Sequence, residues 1–182
     1  AWRYRVHIND PQRLLNLNAL ADPAARPIVR DRLARLFERL QIDSDLLNAL
    51  TDWVDEDADR RSPGGAEDDV YSRLDPPYRA ANAPLGRLEE LRLVMGFSEE
   101  VVARLAPYVA TLPVGAGLNV NTADEIVLQS LHDDLSADVA GEIVRRRELE
   151  SFKSVKDFLA ILALYDVPMI TAGLVTQNDY LF

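Results

Sequence analysis

The sequence predicts an α+β fold in which a long all-α stretch interrupts a small sheet. Three observations carry that reading. Trp2-Arg-Tyr-Arg-Val-His-Ile8 alternates large apolar and polar residues, the period-two pattern of a half-buried strand. Helical periodicity then governs residues 21–170. Gly173-Leu-Val-Thr and Tyr180-Leu-Phe182 return to strand-like composition. Residues 1–20 and 171–182 are expected to form the two parts of one discontinuous, incomplete sheet core. Residues 21–170 are expected to be a helical domain inserted into it.

Each element has a local reason. Asn9-Asp-Pro11 breaks the first strand, and Asp22-Pro23 ends the apolar segment that follows it. Pro27 suits the first turn of a helix, and Ile28, Leu33, Leu36, Phe37 and Leu40 then form a stripe of period 3.6. Ser44 is placed to cap a second helix that buries Leu46, Leu47, Leu50, Trp53 and Val54. Residues 71–84 read as loop, with Asp75-Pro-Pro-Tyr78 and Asn82-Ala-Pro84 as turn chemistry. Residues 85–95 read as a helix stopped by Gly96. Ser98 caps the next helix, to about Tyr108, and Asn121-Thr-Ala-Asp-Glu125 opens another in capping-box style. Ser136 and Ser154 open two more, reaching Leu149 and Leu164.

Composition narrows the function. A net charge of −10 opposes binding to nucleic acid or to anionic lipid, because both need clustered Lys and Arg. No cysteine is present, so disulfides and thiolate metal sites are excluded. No apolar run reaches the roughly 20 residues of a membrane helix. The start at Ala1 and the apolar end at Asp179-Tyr-Leu-Phe182 lead us to expect a piece of a longer protein.

The densest chemistry lies between Asp52 and Asp69. Asp52, Asp55, Asp57 and Asp59 precede Pro63-Gly64-Gly65, and Glu67, Asp68 and Asp69 follow it. Arg60 and Arg61 cannot balance so many carboxylates, and the preceding helix presents its negative dipole end there. A hard divalent cation with oxygen ligands, calcium above all, would relieve the repulsion. The loop is not an EF-hand. Counted from Asp55, position 6 is Arg60 rather than Gly, and Glu67 falls one place late for position 12. A solvated acidic surface loop is the plain alternative. Against it, the Gly-Gly turn folds two carboxylate groups together, and Trp53, Val70 and Tyr71 anchor both sides.

Other constellations are weaker. His7 and His132 lack a catalytic partner at a telling spacing, and no Gly-rich phosphate loop is complete. The paired Asp residues permit a carboxylate-dependent hydrolase as a minor reading. Leu118-Asn-Val-Asn-Thr-Ala123, Val139-Ala-Gly-Glu-Ile-Val-Arg-Arg-Arg-Glu148 and Ser151-Phe-Lys-Ser-Val-Lys-Asp-Phe158 resemble the helix-hairpin-helix DNA-binding family. In place of that family's Gly-X-Gly hairpin stands Leu131-His-Asp-Asp-Leu-Ser136, whose two carboxylates repel phosphate. The resemblance is therefore a hint about fold, with nucleic-acid binding kept as the alternative function.

Taken together, further segments resemble the type II secretion minor pseudopilin K family (general secretion pathway protein K). They are Asp52-Trp-Val-Asp-Glu-Asp57, Gly65-Ala-Glu-Asp68 with Tyr71, Pro77-Tyr-Arg79, Asn82-Ala-Pro-Leu85, Glu90-Leu-Arg92 and Leu118–Ala123, in the family's order. The resemblance implies a pseudopilin αβ core with a small antiparallel sheet, an N-terminal hydrophobic helix absent from this chain, and the large inserted helical domain. It implies a site for one or two Ca2+ ions at Asp52, Asp55, Asp57, Glu67 and Asp68, with Asp59 and Asp69 as further candidates. It also implies a non-enzymatic role at the pseudopilus tip beside minor pseudopilins I and J, and H as a further neighbour. The bulky domain would block addition of another subunit above it. The location implied is the periplasm, with anchorage in the inner membrane of a Gram-negative bacterium through the absent helix. Partner contacts would come from that helix and from residues 1–20, where Tyr4, Val6, Leu14 and Leu17 serve equally well as core.

Overall fold

A computed structural model describes residues 9–168 and 172–176. The strand expected at Trp2–Ile8, His7 and the Tyr180–Phe182 segment lie outside the described residues. Within them the α-helices run α1 (Arg26–Arg39), α2 (Leu46–Val54), α3 (Asp68–Tyr71), α4 (Glu99–Leu105), α5 (Glu125–Gln129), α6 (Ala137–Leu149) and α7 (Val155–Ala163). Four two-residue strands accompany them: β1 (Leu15–Asn16), β2 (Val109–Ala110), β3 (Leu118–Asn119) and β4 (Leu174–Val175). No helix among the described residues is long and apolar enough to cross a membrane.

The α+β class holds, but the strands pair differently from expectation. β1 pairs with β2, β3 pairs with β4, and both ladders run parallel rather than antiparallel. Each joins segments far apart in the chain. Parallel strands need a long crossover instead of a tight turn, and here helical segments supply it. Gly173–Thr176, read as part of the terminal sheet, docks on β3: Leu118 N donates to Gly173 O and Val120 N to Val175 O. Residues 17–21 form a 3-10 helix whose Leu17 and Leu20 are fully buried in the same apolar cluster as Leu33, Leu36 and Phe37 of α1 and Leu50 and Trp53 of α2.

Local chemistry explains most boundaries. Ser98, Asp124, Ser136 and Ser154 each accept a hydrogen bond from the backbone N–H three residues on, and so start α4, α5, α6 and α7. Asp124 takes this role in place of the expected Asn121 start. Helix α2 begins one residue later than read. Asp43 accepts from Asp45 N in a local turn, and Asp45 rather than Ser44 becomes the N-cap. Helix α4 ends at Leu105, short of Tyr108. The largest difference is at residues 85–95, which hold only a 3-10 helix at Leu88–Leu93. Leu88, Leu91, Val94 and Phe97 recur every third residue and pack on the core, which matches three residues per turn rather than 3.6. Gly96 ends the segment at φ +83°, with Leu46 Cδ2 where a Cβ would sit.

Candidate metal centre

Helix α2 carries Asp52 in its last turn, and Asp55 caps its C-terminal end. The chain returns at Glu67, which starts α3. Trp53 and Tyr71 hold the two arms together by edge-on ring contact at 5.2 Å, with Tyr78 packed 5.3 Å from Tyr71. Such a ring pair adds about 0.5–1.5 kcal/mol beyond area burial. Tyr71 Oη accepts from Met95 N, and Tyr78 Oη donates to Leu93 O, so the aromatic clamp is tied to the 3-10 segment. At Gly65 the turn passes so close to Asp52 that a Cβ would lie 2.3 Å from both Asp52 Oδ2 and Arg61 O.

This architecture buries acid. Asp52 and Asp55 are fully buried, and Glu67 is 3% exposed. Asp52 is satisfied within the protein: Oδ1 accepts from Arg61 Nη1 at 2.7 Å and Oδ2 from Arg61 N at 3.1 Å. Asp55 Oδ2 faces Arg61 Nη2 at 2.7 Å and Arg26 Nη1 at 3.2 Å, while Oδ1 has no partner among the described residues. Among the described residues, neither Glu67 oxygen has one. Burial, then the fields of Asp52, Asp55, Asp57 and Asp68, push the Glu67 carboxyl up to about 7. Burial also raises Asp55, against the pull of Arg61.

Of the residues named from sequence, the fold brings together Asp55, Asp57 and Glu67, which offer oxygens within 4.8 Å of one another. Asp52 sits behind them on Arg61. Asp68 Oδ1 accepts from Ala80 N at 3.0 Å, and its Oδ2 lies 3.8 Å from Arg79 Nε. Asp69 pairs with Arg60 at 3.3 Å, and Asp59 is exposed with its N–H on Asp57 Oδ1. The donor set suits a hard cation. It is all oxygen, and Glu67 Oε1 and Oε2 and Asp55 Oδ1, which meet neither a donor nor a cation among the described residues, are those that a divalent ion would satisfy. Sequence reasoning missed Arg26 and Ala80 N. Both reach the loop from distant segments with no local signal.

The other candidate sites find plainer roles. Arg145 and Arg146 both donate to Glu142 on the same helix, and Arg147 donates to Val120 O. The only basic run is thus engaged within the fold. Asp133 of the altered hairpin pairs with Arg35, through Nε and Nη2. His132 Nδ1 accepts from Asp134 N, a local turn contact.

The described residues form a helical unit built over an aromatic-clamped acidic loop, followed by helices α5, α6 and α7 packed in succession. Two family models, both described as type II secretion system protein K, match residues 13–114 and 118–177. The chain belongs to the type II secretion system protein K family. It is 39% identical over 159 residues to the protein K of Pseudomonas aeruginosa, covering 85% of this chain and 47% of that one. It is 34% identical over 194 residues to that of Aeromonas hydrophila, covering 95% and 59%. The chain therefore spans about half the length of these relatives. Among solved structures it is similar to a chain of the GspK-GspI-GspJ complex from the enterotoxigenic Escherichia coli type 2 secretion system. The TM-score is 0.81 at 29% identity, covering 93% of this chain and 64% of that one.

Proposed function

We propose that this chain is the helical part of a non-enzymatic minor pseudopilin at the tip of the type II secretion pseudopilus, where it supports protein export across the outer membrane. The whole protein would work from the periplasm, anchored in the inner membrane, in a hetero-complex with the I and J subunits and next to H. Family membership and the likeness to the GspK-GspI-GspJ complex support the partners. Within the chain, one observation carries the calcium reading: Glu67 is buried, faces other acids and has no donor on either oxygen among the described residues. Asp55, Asp57 and Glu67 would hold the ion. Asp52 would fix Arg61 behind them, and Asp68 would serve through its remaining oxygen lone pairs. The ion would lock the two arms of the loop and so stiffen the helical cap.

Thermal melting in EDTA, calcium and magnesium tests the metal. At a hundredfold excess over Kd, calcium should stabilise by about 2.7 kcal/mol. For a chain of this size that raises Tm by roughly 5–10 °C. A midpoint unmoved by calcium after chelation ends the metal reading. For the tip role, mixing the whole protein with I and J should yield a soluble complex, and failure at high micromolar concentration counts against it.

A further inference from the structure

A second unmet charge, of opposite sign, lies elsewhere and shares no residue with the acidic loop. Arg32 on α1 is 5% exposed. Its Nη2 donates to Ala172 O at 2.7 Å, and its Nε has no partner among the described residues. No carboxylate among the described residues pairs with it. The charged neighbour that acts on it is Arg35, of like sign, and burial with Arg35 lowers Arg32 to about 10. A guanidinium withdrawn from water without an anion is costly, and one backbone carbonyl offsets little of that cost.

Arg32 lines a cavity of about 270 Å³ between α1, the 17–21 turn and the loop before β3. Buried Leu15, Leu33 and Leu118 form its apolar lining. Ile28, the outlier of the α1 stripe at 42% exposure, stands in its wall with exposed Gly115 and Gly173. Asp22 also lines it, but its Oδ1 accepts from Ala24 N and it makes no ion pair with Arg32. The volume falls below the usual 300–1,000 Å³ of pockets that enclose a free small molecule. It is the size of a recess that takes one anchor side chain of a partner.

We propose that this cavity binds the carboxyl-terminal residue of a partner polypeptide, with an aliphatic side chain against Leu15, Leu33 and Leu118 and the terminal carboxylate on Arg32. Charge complementarity selects this occupant. The walls are mainly apolar, with Asn16 and Asp22 at their polar part, Arg32 meets no carboxylate among the described residues, and the rest of a strongly acidic chain would repel a longer acidic segment.

The test is an amide-resonance titration of the labelled chain with N-acetyl-leucine, and with N-acetyl-leucinamide as the uncharged comparator. The acid should shift Gly115, Ala116 and Gly173 saturably in the millimolar range, and the amide should bind at least about tenfold more weakly. Arg32→Met should abolish the difference. Ala116→Leu fills the cavity and leaves Arg32 in place, so it should weaken the acid by a similar factor even where the first variant fails to fold. Equal binding of acid and amide overturns the proposal. So does the absence of saturable shifts at these amides, or binding of hexanoate alone, which would make this a free fatty-acid site.

Discussion

The loop between α2 and α3 and the unit from β3 to α7 carry acidic side chains to opposite ends. In the later unit the acids complete the fold. Asp124 caps α5, Asp157 closes a reciprocal capping box with Ser154, and Glu142 lies between Arg145 and Arg146. In the loop two of them, Asp55 and Glu67, are withdrawn from water and left short of donors among the described residues. Asp55 shares two arginines, and Glu67 has none. Both regions are rich in acid, so charge density alone does not separate a site from a scaffold. Burial without a partner among the described residues is what distinguishes the loop, because a buried carboxylate with no donor must either take up a proton or meet a cation.

Among changes to single polar side chains that leave the loop untouched, removing Asn121 should have a large effect. Its Nδ2 donates to Phe152 O and Thr176 O, and its Oδ1 accepts from Phe152 N, all at 2.9 Å. One side chain thus ties the start of the later unit to the α6–α7 turn and to the end of β4. Asn121→Ala strands these partly buried groups and should cost about 2–3 kcal/mol, lowering Tm by roughly 5–10 °C. The loss should be equal in calcium and in EDTA. A loss that shrinks in calcium would show that the two regions fold as one unit and would break the comparison.

The same contrast explains what was legible. Caps at Ser98, Ser136 and Ser154 are contacts over three residues, so the sequence carries them in full. The Trp53–Tyr71 clamp was legible because both aromatics flank the acidic run. The pairing of β4 with β3 was not, since two-residue parallel strands leave no periodic signal. Nor was the split within the acidic set. All five carboxylates looked alike in sequence, and only the fold puts Asp52 on Arg61 and Asp68 on Ala80 N while Glu67 is left alone. Arg26 reaches Asp55 from the first turn of α1, a contact that depends on how α1 packs on α2. Residues 85–95, expected to be a helix stopped by Gly96, did carry their own signal, since Leu88, Leu91, Val94 and Phe97 recur every third residue.

Acidity sharpens the comparison from the loop's side. A carboxyl raised in the fold, as Glu67 is from 4.5 to about 7, holds its proton in the folded state at pH values where the unfolded chain has lost it. The metal-free protein should therefore lose stability as pH rises from about 4.5 to 7, by at most roughly 3 kcal/mol from this group. Glu67→Gln removes the charge, so it should flatten that slope and stabilise the EDTA-treated protein near neutrality by about 1–3 kcal/mol. It should also abolish the response to calcium. Chemical denaturation at several pH values, with and without chelator, reads all three. A variant that is less stable than the parent in EDTA at pH 8 would mean that Glu67 is not a strained charge.

The smallest expected effect is the most discriminating. Ser154 Oγ accepts from Asp157 N at 3.3 Å, and Asp157 Oδ2 returns the contact to Ser154 N at 2.9 Å and to Lys153 N at 3.1 Å. Ser154→Ala deletes only the longer half of this reciprocal pair, and Asp157 keeps both of its donors. The cost should be about 1 kcal/mol, the ordinary value of an N-cap, or a Tm fall of roughly 2–4 °C. Because every partner lies within four residues, nothing in the change reaches α2 or the loop. The fall should be identical at low pH, at neutral pH, in calcium and in EDTA. A cap whose worth varied with calcium would require the ion to act on the order of α7, and would make the acidic loop a control element for the later unit rather than a clamp on its own two arms.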